Sequence, residues 1–305
     1  MTEPQRKPAL IPYDEFALFR ENAEEFGLPY TVPPVVRRVF TELGDGRRLS
    51  SLVWGERAPE LVLLHGGAQN AHTWDTVALA LNRPLVCIDL PGHGHSDAPA
   101  DGSTNVQRNA SDVAAAVRAL APAAAGVVGM SLGGMTMLAL ADQSPELVRA
   151  AVLVDVTPGV DHGKARAITA FIDGPESFAS FEDLLARTVA HNPTRSVSSL
   201  RRGILHNALQ RSDGSWVWRY RRFAEADRHR DFPRFADLWR AVDRLRIPLM
   251  LVRGMRAQSV VDDADEAELL RRCPAARIER VKEAGHSVQG DAPVELARLL
   301  EDFLA

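Results

Sequence analysis

The residue of this chain whose surroundings most favour chemistry is Ser131. It stands in the centre of the pentapeptide 129–133, which has glycine at both ends, follows an apolar run at 125–128 and precedes a helix-like run at 135–141. A strand, a sharp turn and a helix in this order lift a serine hydroxyl clear of a sheet, and only small residues fit two positions before and after it. The pattern therefore predicts a serine nucleophile for acyl transfer.

A nucleophilic serine needs a base, and His286 has the place in the chain that suits this role. It follows a strand-like segment at 276–281 and comes after the serine in chain order. An imidazole at a strand end reaches Ser131 if both strands end on the same edge, and its chemistry suits proton transfer near neutral pH. The alternative is a surface-loop histidine. We interpret His286 as the general base.

Acyl transfer also needs two backbone N–H groups that hold the developing oxyanion. A short apolar strand at 61–64 is followed by His65, two glycines and Ala68. We expect one donor from Leu132, directly after the nucleophile, and the other from Gly67, with Ala68 as the alternative in register. We interpret His65 as a brace for this loop, since an imidazole offers side-chain hydrogen bonds on two sides.

Together these motifs resemble the α/β-hydrolase family. Two further matching pieces are Trp74 and the loop from Asp89 to Ser96, and the resemblance runs from about Arg37 to Ala305. The resemblance implies an α/β fold with a mostly parallel eight-stranded sheet, helices on both faces and a helical cap inserted after strand 6. It also implies Ser131 as nucleophile and His286 as base.

The third member of a catalytic triad departs from the family pattern. The resemblance places an acid in the turn after the seventh strand, but the matching position is Gln258. Asp155, which ends the sixth strand beside the strand of the nucleophile, is an alternative carboxylate for the histidine. Its other interpretation is a turn residue or helix cap. Asp262 and Asp263 come four or five residues late and resemble the N-cap of a helix over 264–272. We favour Asp155.

Alternation of apolar runs and helical patterns predicts a parallel sheet with crossover helices. The expected strands are 35–40, 48–54, 61–64, 84–89, 125–128, 150–155, 247–252 and 276–281, and the expected helices include 108–120 and 135–143. The first two strands flank a turn signal and form a hairpin. Active residues then gather at the carboxyl ends of the parallel strands.

The chain divides into three parts. Residues 1–34 form an N-terminal extension with an amphipathic helix from Asp14 to Gly27, which packs on the body or on a partner subunit, so a homodimer stays open. Residues 35–157 and 246–305 form the hydrolase core. Residues 158–245 are too long for a loop and form the cap segment, with helical patterns from Ser180 to Ala190 and from Arg234 to Leu245.

Aromatic residues are the candidates for substrate contact. Trp216 and Trp218 alternate in an extended stretch of the cap segment, so their indoles share one side. They line the pocket or else attach the cap segment to the core. We also expect Met130, beside the nucleophile, and Trp74 to contact the substrate.

Composition excludes several other classes of protein. The chain has 305 residues and a net charge of −4, which gives no reason to expect nucleic acid or an anionic membrane as partner. The N-terminus lacks an apolar signal-like region, and Cys87 and Cys273 form no disulfide framework, so we expect a cytoplasmic enzyme. His191 and His206 have no metal-ligand neighbours at a telling spacing. We expect no metal and no cofactor.

These residues predict hydrolysis through an acyl-enzyme. The expected substrate is a small-molecule ester or lactone without charge, because aromatic residues outnumber charged anchors near the motifs. C–C bond hydrolysis, amide hydrolysis and perhydrolysis are alternatives within the enzyme class. Epoxide hydrolases and haloalkane dehalogenases are disfavoured because their nucleophile is an aspartate. A ligand-binding protein that kept the fold and lost turnover is the alternative from another class.

Overall fold

The computed structural model describes residues 10–100, 105–221 and 235–304. Its main feature is an eight-stranded sheet. In chain order its strands are β1 (Val36–Glu42), β2 (Arg48–Trp54), β3 (Leu61–Leu64), β4 (Leu85–Ile88), β5 (Gly126–Met130), β6 (Ala151–Val154), β10 (Leu249–Gly254) and β11 (Arg277–Val281). They lie in the order β1-β2-β4-β3-β5-β6-β10-β11. Only β2 pairs antiparallel, with β1 and β4, and all other pairs are parallel. The predicted fold class is confirmed.

Helices cover both faces of the sheet, as its apolar strands require. Around the core they are α2 (Asp75–Leu81), α3 (Val106–Leu120), α4 (Leu132–Gln143), α8 (Trp239–Arg244), α9 (Asp263–Arg272), α10 (Val288–Asp291) and α11 (Pro293–Phe303). Side chains of β3 alternate between two buried clusters: Val62 and Leu64 join the one with α3 and α4, and Leu61 and Leu63 the one with α2 and α11. The strand is therefore buried on both sides, which is why it reads as a continuous apolar run.

The cap segment lies between β6 and β10, as predicted, but it is not purely helical. Three helices, α5 (His162–Ile172), α6 (Phe181–His191) and α7 (Val197–Asn207), are joined by a three-stranded antiparallel sheet of β7 (Ser177–Phe178), β8 (Ala208–Gln210) and β9 (Trp216–Trp218). α6 matches the helix expected from Ser180, whose side chain caps it by accepting from the Asp183 N–H. The helix expected from Arg234 is represented by α8, and Arg234 itself lies outside the described residues.

The N-terminal extension packs on the rest of the same chain. Its helix α1 (Phe19–Glu25) is shorter than the segment expected from Asp14 to Gly27. The Phe19 ring lies 4.8 Å from that of Trp54 in the core, and the Asn22 amide oxygen accepts from Arg202 Nε of the cap segment at 2.7 Å. Residues 1–9 of the extension lie outside the described part.

In the parts of the chain that the structure describes, no helix combines the length and apolar character that crossing a bilayer requires.

Candidate active site

Ser131 lies in a strained turn between β5 and α4. Its backbone has φ 50° and ψ −119°, in the region that side chains rarely adopt. A Cβ atom on Gly129 would lie 2.4 Å from the Gly133 carbonyl oxygen, and one on Gly133 would lie 2.3 Å from the Leu64 carbonyl oxygen. The two glycines are therefore needed for space, which is the reason that the sequence pattern predicts this turn.

Ser131 and Asp155 follow residues that are paired in the sheet. Met130 on β5 pairs with Val154 on β6 in parallel register, so the next residue on each strand emerges at the same edge. Asp155 also has a positive φ, of 45°. Two adjacent strand ends thus both leave the sheet in strained conformations, a feature that clusters at functional sites.

The Asp155 carboxylate is completely buried and accepts four hydrogen bonds. Oδ2 accepts from His286 Nδ1 at 2.9 Å and from the Val260 N–H at 3.1 Å. Oδ1 accepts from the Gly254 N–H at 2.9 Å and from the Ser259 hydroxyl at 2.6 Å. The carboxylate is held in place by the turn after β10, and it in turn fixes the plane of the imidazole.

This contact defines what the His286 ring can do. Because Nδ1 donates to Asp155, the neutral ring carries its free lone pair on Nε2. His286 and Ser131 line the same cavity. Within the described residues no hydrogen bond joins their side chains, and such bonds commonly tighten only when substrate binds. The arrangement offers a base and a serine hydroxyl in one cavity, with the base oriented by a carboxylate.

The turn after β10 supplies donors where the resemblance implies an acid. Gln258 lines the cavity, while Ser259 and Val260 donate to Asp155. Asp262 is the N-cap of α9, with the reciprocal bonds of a capping box, and the Asp263 side chain is 97% exposed and pairs with an arginine. Neither substitute carboxylate is hydrogen-bonded to His286 in the described structure.

In the loop after β3, the N–H groups of residues 66–68 differ in whether they have an acceptor. The Gly66 N–H donates to Gln69 Oε1 at 3.1 Å, and the Ala68 N–H donates to His93 Nε2 at 3.2 Å. No acceptor for the Gly67 N–H is found among the described residues. Leu132 is the first residue of α4, where a helical N–H has no partner within the helix. Because the Ala68 N–H already has an acceptor and none is found for the Gly67 N–H, the structure favours Gly67 over Ala68 as the oxyanion donor.

His65 and His93 brace this loop by side-chain hydrogen bonds. His65 Nδ1 donates to the Gly66 carbonyl oxygen at 2.7 Å, and its Nε2 accepts from the Leu90 N–H at 2.9 Å. Burial lowers the pKa of His65 to about 3, so the ring is neutral at physiological pH. A neutral ring with both nitrogens occupied serves as a brace, and it is in no position to transfer protons to a substrate.

The cavity over Ser131 has a volume of about 390 Å³, within the range of small-molecule sites. The core, the cap segment and the N-terminal extension all contribute to its wall, the extension through Asn22 in α1 and Phe26 directly after it. Met130 and Trp218, both expected to contact substrate, lie in the lining. The site is therefore assembled from distant parts of the chain.

Two expected substrate contacts lie elsewhere. Trp74 is fully buried in the core cluster beneath α2 and is not among the lining residues that the structure describes. Trp216 is 4% exposed and packs edge-on against Phe181 at 5.1 Å, inside the cap segment. Trp216 and Trp218 share a side of β9 as predicted, but only the second reaches the cavity. These positions correct the expectation for Trp74 and Trp216.

Three side chains from two distant segments form a buried polar cluster that the sequence did not indicate. Potential metal-binding atoms of His72, Asp75 and His206 lie within 4.8 Å of one another. His72 Nδ1 lies 2.9 Å from Asp75, and the Tyr13 hydroxyl is hydrogen-bonded to His206 Nδ1 at 2.8 Å. The two imidazoles stack at 3.9 Å with planes 10° apart, so their lone pairs do not converge on one point. The arrangement suits a hydrogen-bonded ion pair better than a metal site.

The fold and this site together define the class of the protein. Residues 61–299 match the family model described as the alpha/beta hydrolase family, and the chain belongs to that family. It is similar to esterase Rv0045c of Mycobacterium tuberculosis (strain ATCC 25618 / H37Rv), with 45% identity over 298 residues, which are 95% of this chain and 96% of that protein. A crystal structure of that esterase has 44% identity and a TM-score of 0.82, covering 97% of this chain and 99% of the other.

A more distant relative is 2-(acetamidomethylene)succinate hydrolase of Mesorhizobium japonicum. It is 26% identical over 249 residues, which are 81% of this chain and 88% of that protein. Both relatives match along most of their length, so the similarity includes the cap segment as well as the core.

Proposed function

We propose that this protein is a serine esterase that cleaves a carboxylic ester, or the cyclic ester of a lactone, through an acyl-enzyme. Family membership and the similarity to a protein named as an esterase support hydrolysis of ester bonds. The observation that carries the proposal is the environment of His286. Its Nδ1 lies 2.9 Å from Asp155, while its ring lines the cavity that also holds Ser131.

The reaction follows from these positions. His286 Nε2 takes the proton of Ser131 as Oγ attacks the carbonyl carbon, and Asp155 holds the tautomer and stabilises the imidazolium. The N–H groups of Gly67 and Leu132 stabilise the oxyanion. The imidazolium then protonates the leaving alcohol. A water molecule, deprotonated by His286, attacks the acyl-enzyme; His286 then returns the proton to Ser131 Oγ as the bond between Oγ and the acyl carbon breaks and the acid is released.

Two alternatives use the same cavity. Hydrolysis of an amide or of a C–C bond needs the same nucleophile, base and oxyanion donors, so it is separated from ester hydrolysis only by rates on matched substrates. A ligand-binding protein without turnover was suggested by the glutamine at position 258. That argument weakens because Asp155 occupies the position on His286 that an orienting carboxylate requires.

The nucleophile is tested by labelling and by substitution. A fluorophosphonate should modify the peptide that carries Ser131, because the elbow exposes its hydroxyl to the cavity. Ser131→Ala should lower kcat on p-nitrophenyl butyrate by at least about 10³ without loss of the fold. Mass spectrometry locates the adduct, and circular dichroism checks the fold.

The matched control is Ser111→Ala, at an exposed position on α3. It should keep both labelling and activity. An adduct on another serine, or an active Ser131→Ala protein, would refute the proposal. Rates on matched amides and diketones that exceed the ester rate would favour the alternative bond types.

A further inference from the structure

Arg195 is a basic side chain of the cavity wall that has no ion-pair partner among the carboxylates that the structure describes. It precedes α7 in the cap segment, and its guanidinium packs against Gly290 of α10 so closely that a Cβ there would lie 2.9 Å from Cζ. Gly290 follows His286 by four residues. Both Arg195 and Gly290 line the cavity, so the guanidinium belongs to the same wall as the proposed base.

The hydrogen bonds of Arg195 leave part of the guanidinium unused. Nη2 donates to the Ser199 hydroxyl at 2.7 Å, whereas Nε is buried and has no acceptor in the described structure. Burial lowers the pKa of Arg195, the direction expected for a cation short of anionic partners. The carboxylates of Asp291 and Glu25 act on it only through space, and Asp291 already accepts from the Gly285 N–H at 2.9 Å.

The lysine and the second arginine in the described part of the cavity lining are paired with carboxylates. Lys164 lies 2.9 Å from Asp262 and 2.7 Å from Asp265. Arg202 is ion-paired with Glu25. Among the described residues no carboxylate lies within 4 Å of Arg195. A guanidinium whose Nε is buried without an acceptor is costly, and a planar carboxylate that meets the guanidinium with two parallel hydrogen bonds would offset that cost.

We propose that Arg195 binds a carboxylate of the substrate, so that the esters cleaved here belong to the class that carries a free, ionised carboxyl group. This inference rests on the proposed esterase function and narrows it. It also departs from the uncharged substrate expected from the sequence. Arg195 then acts as a specificity residue: it holds the charged end of the ester while the ester carbonyl lies at Ser131.

The first experiment compares matched esters. The charged substrates are p-nitrophenyl hydrogen adipate, with the carboxylate on the acyl side, and 4-hexanoyloxybenzoate, with it on the alcohol side. The neutral counterparts are their methyl esters. We expect wild-type kcat/KM to favour at least one charged substrate over its counterpart. Arg195→Gln should lower that charged-to-neutral ratio by about 10- to 100-fold, mostly through KM, as loss of a charge-assisted hydrogen bond predicts.

Two further variants make the result specific. Arg195→Lys should retain part of the ratio, because it keeps the charge but loses the planar fork. Arg201→Gln is the matched control, since this neighbouring arginine is 46% exposed and faces Glu21 at 3.7 Å. It should leave the ratio unchanged. Equal rates on charged and neutral esters, or an Arg195→Gln protein with the wild-type ratio, would overturn the inference and leave the esterase function standing.

A binding measurement separates the two proposals. Calorimetry of monomethyl adipate, a monocarboxylate, against the Ser131→Ala protein needs no turnover. Binding that weakens at least tenfold in the Ser131→Ala, Arg195→Gln double variant supports the carboxylate site even if no ester is cleaved. Absence of binding, or equal binding by both proteins, overturns it. If Arg195→Gln only lowers the melting temperature, its role is to attach α7 to α10.

Discussion

The carboxylate of Asp155 is fixed from two sides. It meets His286 on one side and, on the other, one donor from the last residue of β10 and two from the turn after it. That turn is where the family resemblance implies the acid. Here it holds in place a carboxylate delivered by the neighbouring strand. The carboxylate on His286 Nδ1 therefore comes from the end of β6, whereas the family resemblance implies one from the turn after β10.

Replacing Asp155 tests this role at the level of one atom. Asp155→Asn keeps the shape but loses the charge and favours the wrong tautomer of His286, so kcat should fall steeply with little change in KM. The serine-protease example of this substitution gives a loss of about 10⁴. Steady-state kinetics on p-nitrophenyl butyrate measure it.

Asp263→Asn is the matched control, since its side chain is 97% exposed, and it should stay within a few-fold of wild type. Gln258→Asp should restore part of the activity of Asp155→Asn, because it returns a carboxylate to the turn. A fully active Asp155→Asn protein would remove this residue from the mechanism.

Local sequence was enough to predict some site residues. The turn pattern around Ser131 predicts it as a candidate, and the preceding strand predicts His286. Asp155 is predicted by its place at the end of an apolar strand. The position of Trp74 could not be predicted, because the sequence around a tryptophan is the same whether its indole is buried in the core or lines a cavity. Arg195 could not be found either, since its position depends on packing against a glycine 95 residues later in the chain.

At the scale of elements, the tight contact between α4 and the sheet predicts which glycines tolerate a side chain. Gly133→Ala places a methyl group 2.3 Å from the Leu64 carbonyl oxygen, a backbone atom that cannot move aside. We expect the free energy of unfolding to fall by about 1–3 kcal/mol or more. Denaturant unfolding followed by circular dichroism measures it.

Gly203→Ala in α7 is the matched control, because a Cβ there meets nothing within 4 Å. Alanine in a helix interior should leave stability unchanged or raise it by up to about 1 kcal/mol. If both substitutions had the same effect, the steric account of the elbow would be wrong.

Substitutions of the two tryptophans of β9 should have different effects, one on stability and the other on substrate selectivity. Trp216→Ala removes an indole from the buried cluster of the cap segment and should cost about 3–5 kcal/mol of stability. It should leave the ratio of rates on short and long acyl esters unchanged. Trp218→Ala removes part of the cavity wall and should alter that ratio.

Melting temperatures and an acyl-chain series measure the two effects. An unchanged ratio in Trp218→Ala would take this residue out of the binding site. A changed ratio in Trp216→Ala would show that the cap segment transmits its packing to the cavity.

Strands and helices differed in how accurately the sequence predicts their existence and their bounds. Buried parallel strands appear as apolar runs, and the predicted strands agree with the observed ones to within a few residues. The β7–β9–β8 sheet was missed because strands of two or three residues are too short for an alternation pattern. α1 was predicted too long, since residues before Phe19 form turns instead of helix.

At the scale of the whole molecule, one polar network joins the three parts of the chain. Glu15 of the N-terminal extension pairs with Arg38 and lies 3.2 Å from His72 of the core. His72 also pairs with Asp75 and stacks on His206 of the cap segment. Charge on His72 is therefore part of what holds extension, core and cap segment together.

The pH dependence of stability tests this network. Burial alone would lower the pKa of His72, but Asp75 and Glu15 outweigh it and raise the pKa to about 9. A folded-state pKa above the ordinary value of 6.5 gives stability that is complete below pH 6.5 and lost as pH rises through about 9. His72→Gln should therefore melt below wild type at pH 6, with the gap narrowing towards pH 10.

Thermal melts of both proteins across this pH range measure the gap. Comparing the two proteins at each pH removes the contribution of other groups that titrate there. A gap that stays constant or widens with pH would show that His72 is not held as a cation.

The contacts of the N-terminal extension with the cap segment limit when the extension can fold against the rest of the chain. Tyr13, Asn22 and Glu25 have partners in the cap segment that follow them by 193, 180 and 177 residues. On the ribosome these residues emerge well before the cap segment, so their partners there do not yet exist when they are made. The helix α1 can therefore dock on the cap segment only after that segment has been synthesised. Esterase activity should appear only after this late step, and it should lag behind the burial of the core when the protein refolds.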